Sequence, residues 1–238
     1  MRIQKIHFLI AGAVLATGVL LGGGVRRSAA MFIQRVKGRK TVADRIDQFG
    51  PSARERLLPD FDRIGTAYPP DKVTLVGIKA DRRLEVWVSD PPRFLKSYPI
   101  LGSSGGPGPK LREGDRQVPE GLYRIESLNP NSMYHLSLRI DYPNRFDIAK
   151  GNLENRRNLG GDIMIHGKSS SVGCLAMGDP AIEELFILAA ESGIENLSVI
   201  LSPVDFRAEA YPDNLDGLPA WTPELYDAIR QEMLKLRQ

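Results

Sequence analysis

Two side chains in the C-terminal half of the sequence have the types and the spacing needed for acyl transfer. His166 follows a short apolar run that reads as a strand, and Cys174, the only cysteine among 238 residues, comes eight positions later. A neutral thiol is a weak nucleophile, and a nearby imidazole can accept its proton and hold the thiolate as an ion pair. The loop between them consists of small residues and is long enough to fold back. The pattern therefore indicates a cysteine nucleophile with a histidine base.

The backbone beside Cys174 fits the same chemistry. Gly173 permits close approach to a substrate carbonyl, and amides at this turn could stabilise a developing oxyanion. The residue types alone also allow an inert interpretation. A lone cysteine is often a small buried apolar side chain, and a histidine before a glycine is often only a hydrogen-bonded turn residue. With one cysteine, no intramolecular disulfide can form.

Cofactor chemistry finds weaker support in the sequence. His135, His166 and Cys174 are accepted zinc ligand types, but no pair of them has the short, regular spacing of common zinc motifs. The glycine-rich residues 102–110 resemble a phosphate-binding loop, yet Leu111 stands where a Ser or Thr would bind magnesium. We expect no metal and no other cofactor.

The elements that position these residues are predicted by hydrophobic periodicity. Residues 41–68 carry apolar side chains at helical spacing, which predicts a helix interrupted at Gly50, Pro51 and Pro59. From Lys72 onward β-branched residues and turn signals predict strands, the first two forming a hairpin. The predicted strands are residues 73–78, 84–88, 94–101, 121–127, 134–140, 162–166 and 197–201. We therefore expect a mixed α+β, β-rich fold with flanking helices.

Two more helices are predicted after the candidate site. Asp179 is expected to cap the first, with Pro180 at its first position and an end near Gly193. Thr222 and Pro223 are expected to open a terminal amphipathic helix.

The N-terminal residues indicate export. Residues 8–25 carry no charge and follow Arg2 and Lys5, as in a secretory signal, and small residues up to Ala30 offer a cleavage site. The run is also near the minimum length of a membrane anchor, so residues 1–30 are predicted to be one or the other. These residues hold four of the 32 Lys and Arg and none of the 29 Asp and Glu, so the remainder has a net charge of −1. A nearly neutral domain argues against a nucleic-acid partner.

The segment that contains His166 and Cys174 resembles a known family. The His166 and Gly167 pair, followed by Ser171, Val172, Gly173 and Cys174, resembles the motif of the L,D-transpeptidase (YkuD-type) catalytic domain family. Most members have His where Val172 stands, and their His-to-Cys interval is longer. Both departures are shared by the YafK-like branch, which the chain also resembles at residues 108–121, GPKLREGDRQVPEG. The resemblance extends over residues 72–207.

The resemblance implies a YkuD-type β-sandwich or barrel-like catalytic domain and a specific set of roles. Cys174 would attack the carbonyl of the third residue of a peptidoglycan stem peptide to form a thioester. His166 would accept the thiol proton and be oriented through a backbone carbonyl near Gly167. The amides of Gly173 and Cys174 would hold the oxyanion, and Ser171 would shape the loop. An amine acceptor completes transpeptidation, whereas water completes hydrolysis.

The residue patterns and the resemblance together imply domains, partners and a location. We expect a helical extension at 31–71, the catalytic domain at 72–207, and a loop and helix at 208–238, in a protein of the periplasm or cell envelope. Stem-peptide carboxylates would meet Lys110, Arg112 or Arg116; a solvated charged loop is the alternative for these three. Two other functions stay open: an amidase that releases an envelope lipoprotein from peptidoglycan, and a non-catalytic peptidoglycan-binding module.

Overall fold

The computed structural model describes residues 38–209 and 215–236. The predicted signal or anchor at residues 1–30 lies outside the described residues. Within the described ranges, none of the helices combines the length and the apolar content required to span a bilayer. The chain from Thr41 onward forms one compact unit.

The unit combines helices with one large sheet. The described helices are α1 (Val42–Ile64), α2 (Arg145–Leu153), α3 (Asp179–Ser192) and α4 (Thr222–Leu234), with a 3₁₀ turn at Ile194–Asn196. The strands are β1 (Val73–Ile78), β2 (Arg83–Val88), β3 (Arg93–Pro99), β4 (Gly121–Asn129), β5 (Ser137–Ile140), β6 (Met164–His166), β7 (Leu175–Ala176) and β8 (Leu197–Ser202). The predicted hairpin is confirmed as β1 paired antiparallel with β2.

The sheet curls until its two ends meet. Its strand order is β3-β2-β1-β8-β4-β5-β6-β7, with parallel pairing only for β1 with β8 and β6 with β7 among the described strands. Just beyond β3, Gly102 bridges to Ala176 of β7, and the amide of each donates to the carbonyl of the other. The predicted mixed, barrel-like fold is confirmed, and its closure brings the loop after β3 to the strand that follows Cys174.

Helix α1 is continuous. The predicted interruptions at Gly50, Pro51 and Pro59 are wrong, because the helix runs through all three residues. Both prolines are exposed, so water can hydrate the carbonyls that lose a backbone donor. The opposite face is buried through Leu57 and Phe61 and packs against α3 and β3, and this packing outweighs the local cost of the prolines.

Two apolar clusters hold the sheet between helices. Leu75 of β1 belongs to the cluster that α1 and α3 cover, whereas its neighbour Val76 belongs to the cluster that α4 covers. Successive strand residues point to opposite faces, so both faces of the central strands are buried. The predicted terminal helix is confirmed, with Leu225, Ile229 and Met233 on its buried face.

Several local features differ between the predictions and the structure. Asp179 is not the cap of α3, since Gly178 takes that position and no side chain caps the helix. The strand predicted at 134–140 begins only at Ser137, because His135 has φ +77°, which is incompatible with extended backbone. Helix α2 was not predicted; Asn144 starts it by accepting from the amides of Phe146 and Asp147.

Candidate active site

His166 ends β6 with its imidazole held in one tautomer. Its Nδ1 lies 2.6 Å from the carbonyl oxygen of Gly167. A carbonyl can only accept a hydrogen bond, so Nδ1 carries the proton and Nε2 of the neutral ring is unprotonated and can accept. Nε2 lies 3.3 Å from the hydroxyl of Ser171. The ring is thus arranged as a base whose accepting nitrogen faces the loop leading to Cys174.

Gly167 lies where no side chain fits. A Cβ at this position would lie 2.6 Å from the carbonyl oxygen of Tyr134, 2.7 Å from Asp179 Oδ1 and 3.0 Å from the Cβ of His135. Its amide donates to the carbonyl of Leu136. Because the Tyr134 carbonyl, Asp179 and His135 lie this close, only glycine fits at position 167. The same contacts hold in place the Gly167 carbonyl that orients His166.

The thiol of Cys174 lies at the start of β7, beside β6. Extending the parallel register of Ile165 with Leu175 places Cys174 opposite Met164, whose amide donates to Sγ at 3.4 Å. The thiol in turn donates to the carbonyl of Asp162 at 3.6 Å. Since side chains two apart on a strand share a face, Met164 and His166 point to the same side.

Thiol and imidazole therefore occupy neighbouring positions with their polar atoms turned to other partners. Among the hydrogen bonds of the described residues, none joins the ring of His166 to the thiol of Cys174. The hydroxyl of Ser171 contacts Nε2 of His166, and the carbonyl of Asp162 accepts a hydrogen bond from the thiol of Cys174. Catalytic contacts in ligand-free structures are often formed only in the substrate complex.

Burial shifts both titrating groups toward their neutral forms. Burial raises the pKa of the Cys174 thiol, and the nearby charge of Asp162 adds to this; the Met164 amide and Lys110 oppose it only in part. Burial lowers the pKa of His166 against the opposing effect of its bond to Gly167. The resting site thus favours a neutral thiol and a neutral imidazole over the ion pair that the spacing suggests.

The amide expected to hold an oxyanion already has a partner. Gly173 has φ +80°, and its amide donates to the hydroxyl of Ser104 at 2.8 Å. The same hydroxyl donates to the carbonyl of Arg116 at 2.5 Å. The loop between β3 and β4 therefore covers the turn before Cys174, so that a carbonyl can reach the Gly173 amide only when Ser104 is displaced.

The three predicted carboxylate-binding cations differ in exposure. Lys110 is buried, and its ammonium pairs with Asp115 and donates to the carbonyl of Arg112. Arg112 and Arg116 are exposed on the same loop. The charge of Lys110 is thus committed to holding this loop, whereas the two arginines are accessible to solvent.

Several residues at the site were not singled out from the sequence. The ring of Tyr134 lies over the imidazole of His166 with centroids 4.5 Å apart and an interplanar angle of 38°. Asp179, expected as a helix cap, instead accepts from the amide and the ammonium of Lys168. Ser104 gave no signal beyond its place in a glycine-rich run, because its contact with Gly173 joins residues 69 positions apart.

The three candidate zinc ligands, His135, His166 and Cys174, each contact a different partner. His135 contacts Glu183 through Nε2 at 2.9 Å, whereas His166 contacts Gly167 and Cys174 contacts Asp162. In the part of the chain that the structure describes, no group of three or more His, Cys, Asp or Glu is placed to hold a metal ion.

Comparison with known proteins places this chain in a family. Residues 72–195, more than half of the chain, match the YkuD family model, described as the L,D-transpeptidase catalytic domain. Over 112 residues the chain is 39% identical to the Escherichia coli (strain K12) protein named "Putative L,D-transpeptidase YafK", covering 45% of this chain and 43% of that protein. The chain thus aligns with less than half the length of this curated relative.

Two solved structures are similar to part of this chain. The helical cell shape determining protein Pgp2 from Campylobacter jejuni is 22% identical with a TM-score of 0.47, covering 56% of this chain and 48% of that chain. Bd1075 from Bdellovibrio bacteriovorus is 18% identical with a TM-score of 0.41, covering 69% of this chain and 55% of that chain.

The family match extends over residues 72–195, which contain both His166 and Cys174. Because this match covers more than half of the chain, the protein belongs to the YkuD family of L,D-transpeptidase catalytic domains.

Proposed function

We propose that this protein is a cysteine acyltransferase of peptidoglycan stem peptides that uses Cys174 as nucleophile and His166 as base. The observation that carries the proposal is the fixed tautomer of His166. Its Nδ1 donates to the carbonyl of Gly167, so the unprotonated Nε2, which contacts Ser171, faces the loop that ends at Cys174. Membership of the L,D-transpeptidase family supports peptidoglycan as the substrate class.

The first chemical step requires both groups to change partners. Rotation about the Cα–Cβ bond of Cys174 turns Sγ away from the Asp162 carbonyl and toward His166, and the Ser171 hydroxyl leaves Nε2. The thiol proton then passes to Nε2 as Sγ attacks the substrate carbonyl, which avoids a stable thiolate in a buried site. The imidazolium gives that proton to the leaving amine, and a thioester on Cys174 results.

The oxyanion of this step is assigned to the amides of Gly173 and Cys174. Substrate entry displaces the Ser104 hydroxyl, which frees the Gly173 amide for the developing charge. The exposed Arg112 and Arg116 on the same loop are the groups we propose for stem-peptide carboxylates. Lys110 supports the loop through Asp115 and is not proposed to contact substrate.

Intact-mass spectrometry tests the nucleophile. The full-length chain in mild detergent is incubated with a tetrapeptide stem ending in D-Ala, and the expected result is an acyl adduct on Cys174 with release of D-Ala. Cys174→Ala is the control and forms no adduct. Two results together would show a binding module instead. The wild-type chain would bind the peptide without forming an adduct, and the Cys174→Ala variant would keep the full cellular role of the wild type.

Muropeptide analysis tests the fate of the thioester. We propose an amine acceptor, so the expected products are new cross-links or attachments on peptidoglycan. Release of a peptidoglycan-linked lipoprotein without new cross-links would identify the hydrolytic amidase instead. Both outcomes require Cys174, so this assay separates the second half of the reaction from the first.

We further propose that the protein acts in the cell envelope, exported through residues 1–30. The support is the uncharged run at residues 8–25 behind Arg2 and Lys5, together with a substrate class found outside the cytoplasm. A fusion of residues 1–30 to a reporter that is active only after export tests this, and a reporter that stays inactive would contradict it.

A further inference from the structure

Helix α3 carries a carboxylate, that of Glu183, which connects α1 to the loop beside the candidate base. Glu183 Oε1 lies 2.9 Å from Nε2 of His135, and its Oε2 lies 3.2 Å from Nη2 of Arg56 on α1. The side chains of Glu183 and His135 are only 16% and 22% exposed, so their contact is largely shielded from water. A carboxylate only accepts, so Nε2 of His135 carries the donated proton.

The backbone at His135 is strained. Its φ of +77° is a conformation that residues other than glycine rarely adopt. Such a conformation persists only where surrounding contacts impose it, and residues of this kind cluster at functional sites. Here the bond to Glu183 anchors one end of the ring, and the Phe49 ring packs edge-on with centroids 5.0 Å apart.

The strained segment packs directly on the candidate base. Tyr134 covers the face of the His166 imidazole, and the Tyr134 carbonyl and His135 Cβ leave no space for a side chain at Gly167. The carbonyl of Leu136 accepts a hydrogen bond from the amide of Gly167. Residues 134–136 thus determine where the Gly167 carbonyl points, and that carbonyl holds the Nδ1 proton of His166.

We infer that His135 and Glu183 are positioning residues that hold His166 in its Nδ1-protonated tautomer. This inference rests on the proposed function, since it assigns them to the base of that reaction. Glu183 fixes His135, and His135 fixes the turn that presses on Gly167. The Gly167 carbonyl then accepts from Nδ1–H and keeps Nε2 unprotonated, so that Nε2 can accept the thiol proton. Neither residue touches the reacting atoms.

The variants that test this are His135→Asn and Glu183→Ala. Asparagine tolerates a positive φ, so the first removes the Glu183 contact without forbidding the backbone conformation. Glu191→Ala is the matched control, because Glu191 lies on the same helix and also binds an arginine of α1, Arg54, but does not contact His135.

The readout is the ¹⁵N chemical shifts of the His166 ring in the full-length chain, together with the rate of Cys174 acylation. The chain has three histidines, so the signals can be assigned by substitution. Both test variants are expected to give a mixture of His166 tautomers and to slow acylation about tenfold or more, with little change in peptide affinity. Glu191→Ala is expected to lower stability and leave both readouts at wild-type values.

Two results would overturn the inference. One is an unchanged His166 tautomer in both test variants, and the other is an equal change in Glu191→Ala, which would show a general effect of loosening α1. The ring signals are measured without turnover. A wild-type chain that never acylates would therefore contradict the proposed function, while the His166 spectra would still decide the positioning role.

Discussion

The neutral resting state of the thiol leads to a prediction about its reactivity. Burial raises the pKa of Cys174, and no hydrogen bond among the described residues joins it to His166. We therefore expect alkylation of Cys174 by iodoacetamide to depend on pH as for an isolated, weakly acidic thiol. Cys174 is the only cysteine, so the measured rate belongs to one site.

The magnitude follows from the thiolate fraction. An ordinary thiol with a pKa of about 8.5 is roughly 3% ionised at pH 7, and a raised pKa makes that fraction smaller. The alkylation rate constant of the folded protein should thus rise about tenfold per pH unit from about pH 6 to about pH 8. Its rise should end at a higher pH than in the same chain unfolded in urea.

The assay is intact-mass spectrometry of samples quenched over time at each pH. His166→Asn serves as the control, because a neutral imidazole without a bond to the thiol contributes little to the thiolate fraction, and its pH dependence should match wild type. The slope does not depend on how accessible the thiol is, so slow reagent entry cannot imitate the result. A flat rate between about pH 5 and 8 in wild type, replaced by a steep rise in His166→Asn, would refute the reasoning and establish a resting ion pair.

Three further predictions concern stability and the site. Gly167→Ala should lower the unfolding free energy measured in urea by about 1–3 kcal/mol and abolish acylation, since its Cβ would overlap the Tyr134 carbonyl; a stable, active variant would contradict this. Burial raises the pKa of Asp147 to about 6, so its contribution to stability is present below its unfolded pKa and is lost as pH rises toward 6. The unfolding free energy of Asp147→Asn should therefore rise by about 3 kcal/mol relative to that of wild type as the pH increases from about 4 to about 7. A difference between the two proteins that does not change with pH would exclude the raised pKa of Asp147 as its cause. Glu184→Ala should cost about 3 kcal/mol by thermal or urea unfolding, because the buried Tyr98 hydroxyl and two cations lose their shared acceptor; a loss well below 1 kcal/mol would contradict the role assigned to this cluster.

Local sequence patterns were sufficient for many of the elements. The hairpin of β1 and β2 and the terminal helix α4 were predicted because alternation and helical spacing are properties of a few neighbouring residues. The error at Pro51 and Pro59 has the opposite origin. A proline penalises a helix locally, but packing of the far side of α1 on α3 is a long-range effect that its own residues do not report.

The sequence by itself determined which atoms could react. A single cysteine eight positions after the histidine of a His-Gly pair, within a longer ordered match, identified the family and the two residues of the proposed reaction. These conclusions depend only on residue identity and order.

Only the tertiary structure decided how those atoms are held. The Ser104 hydroxyl on the Gly173 amide joins residues 69 positions apart, and the bond between His135 and Glu183 spans 48 positions. The orientation of the Cys174 thiol and the direction of its pKa shift depend on burial by distant segments. Such contacts arise when the sheet closes and the helices pack, because side-chain conformation and dielectric environment are set by neighbours in space and not by neighbours along the chain.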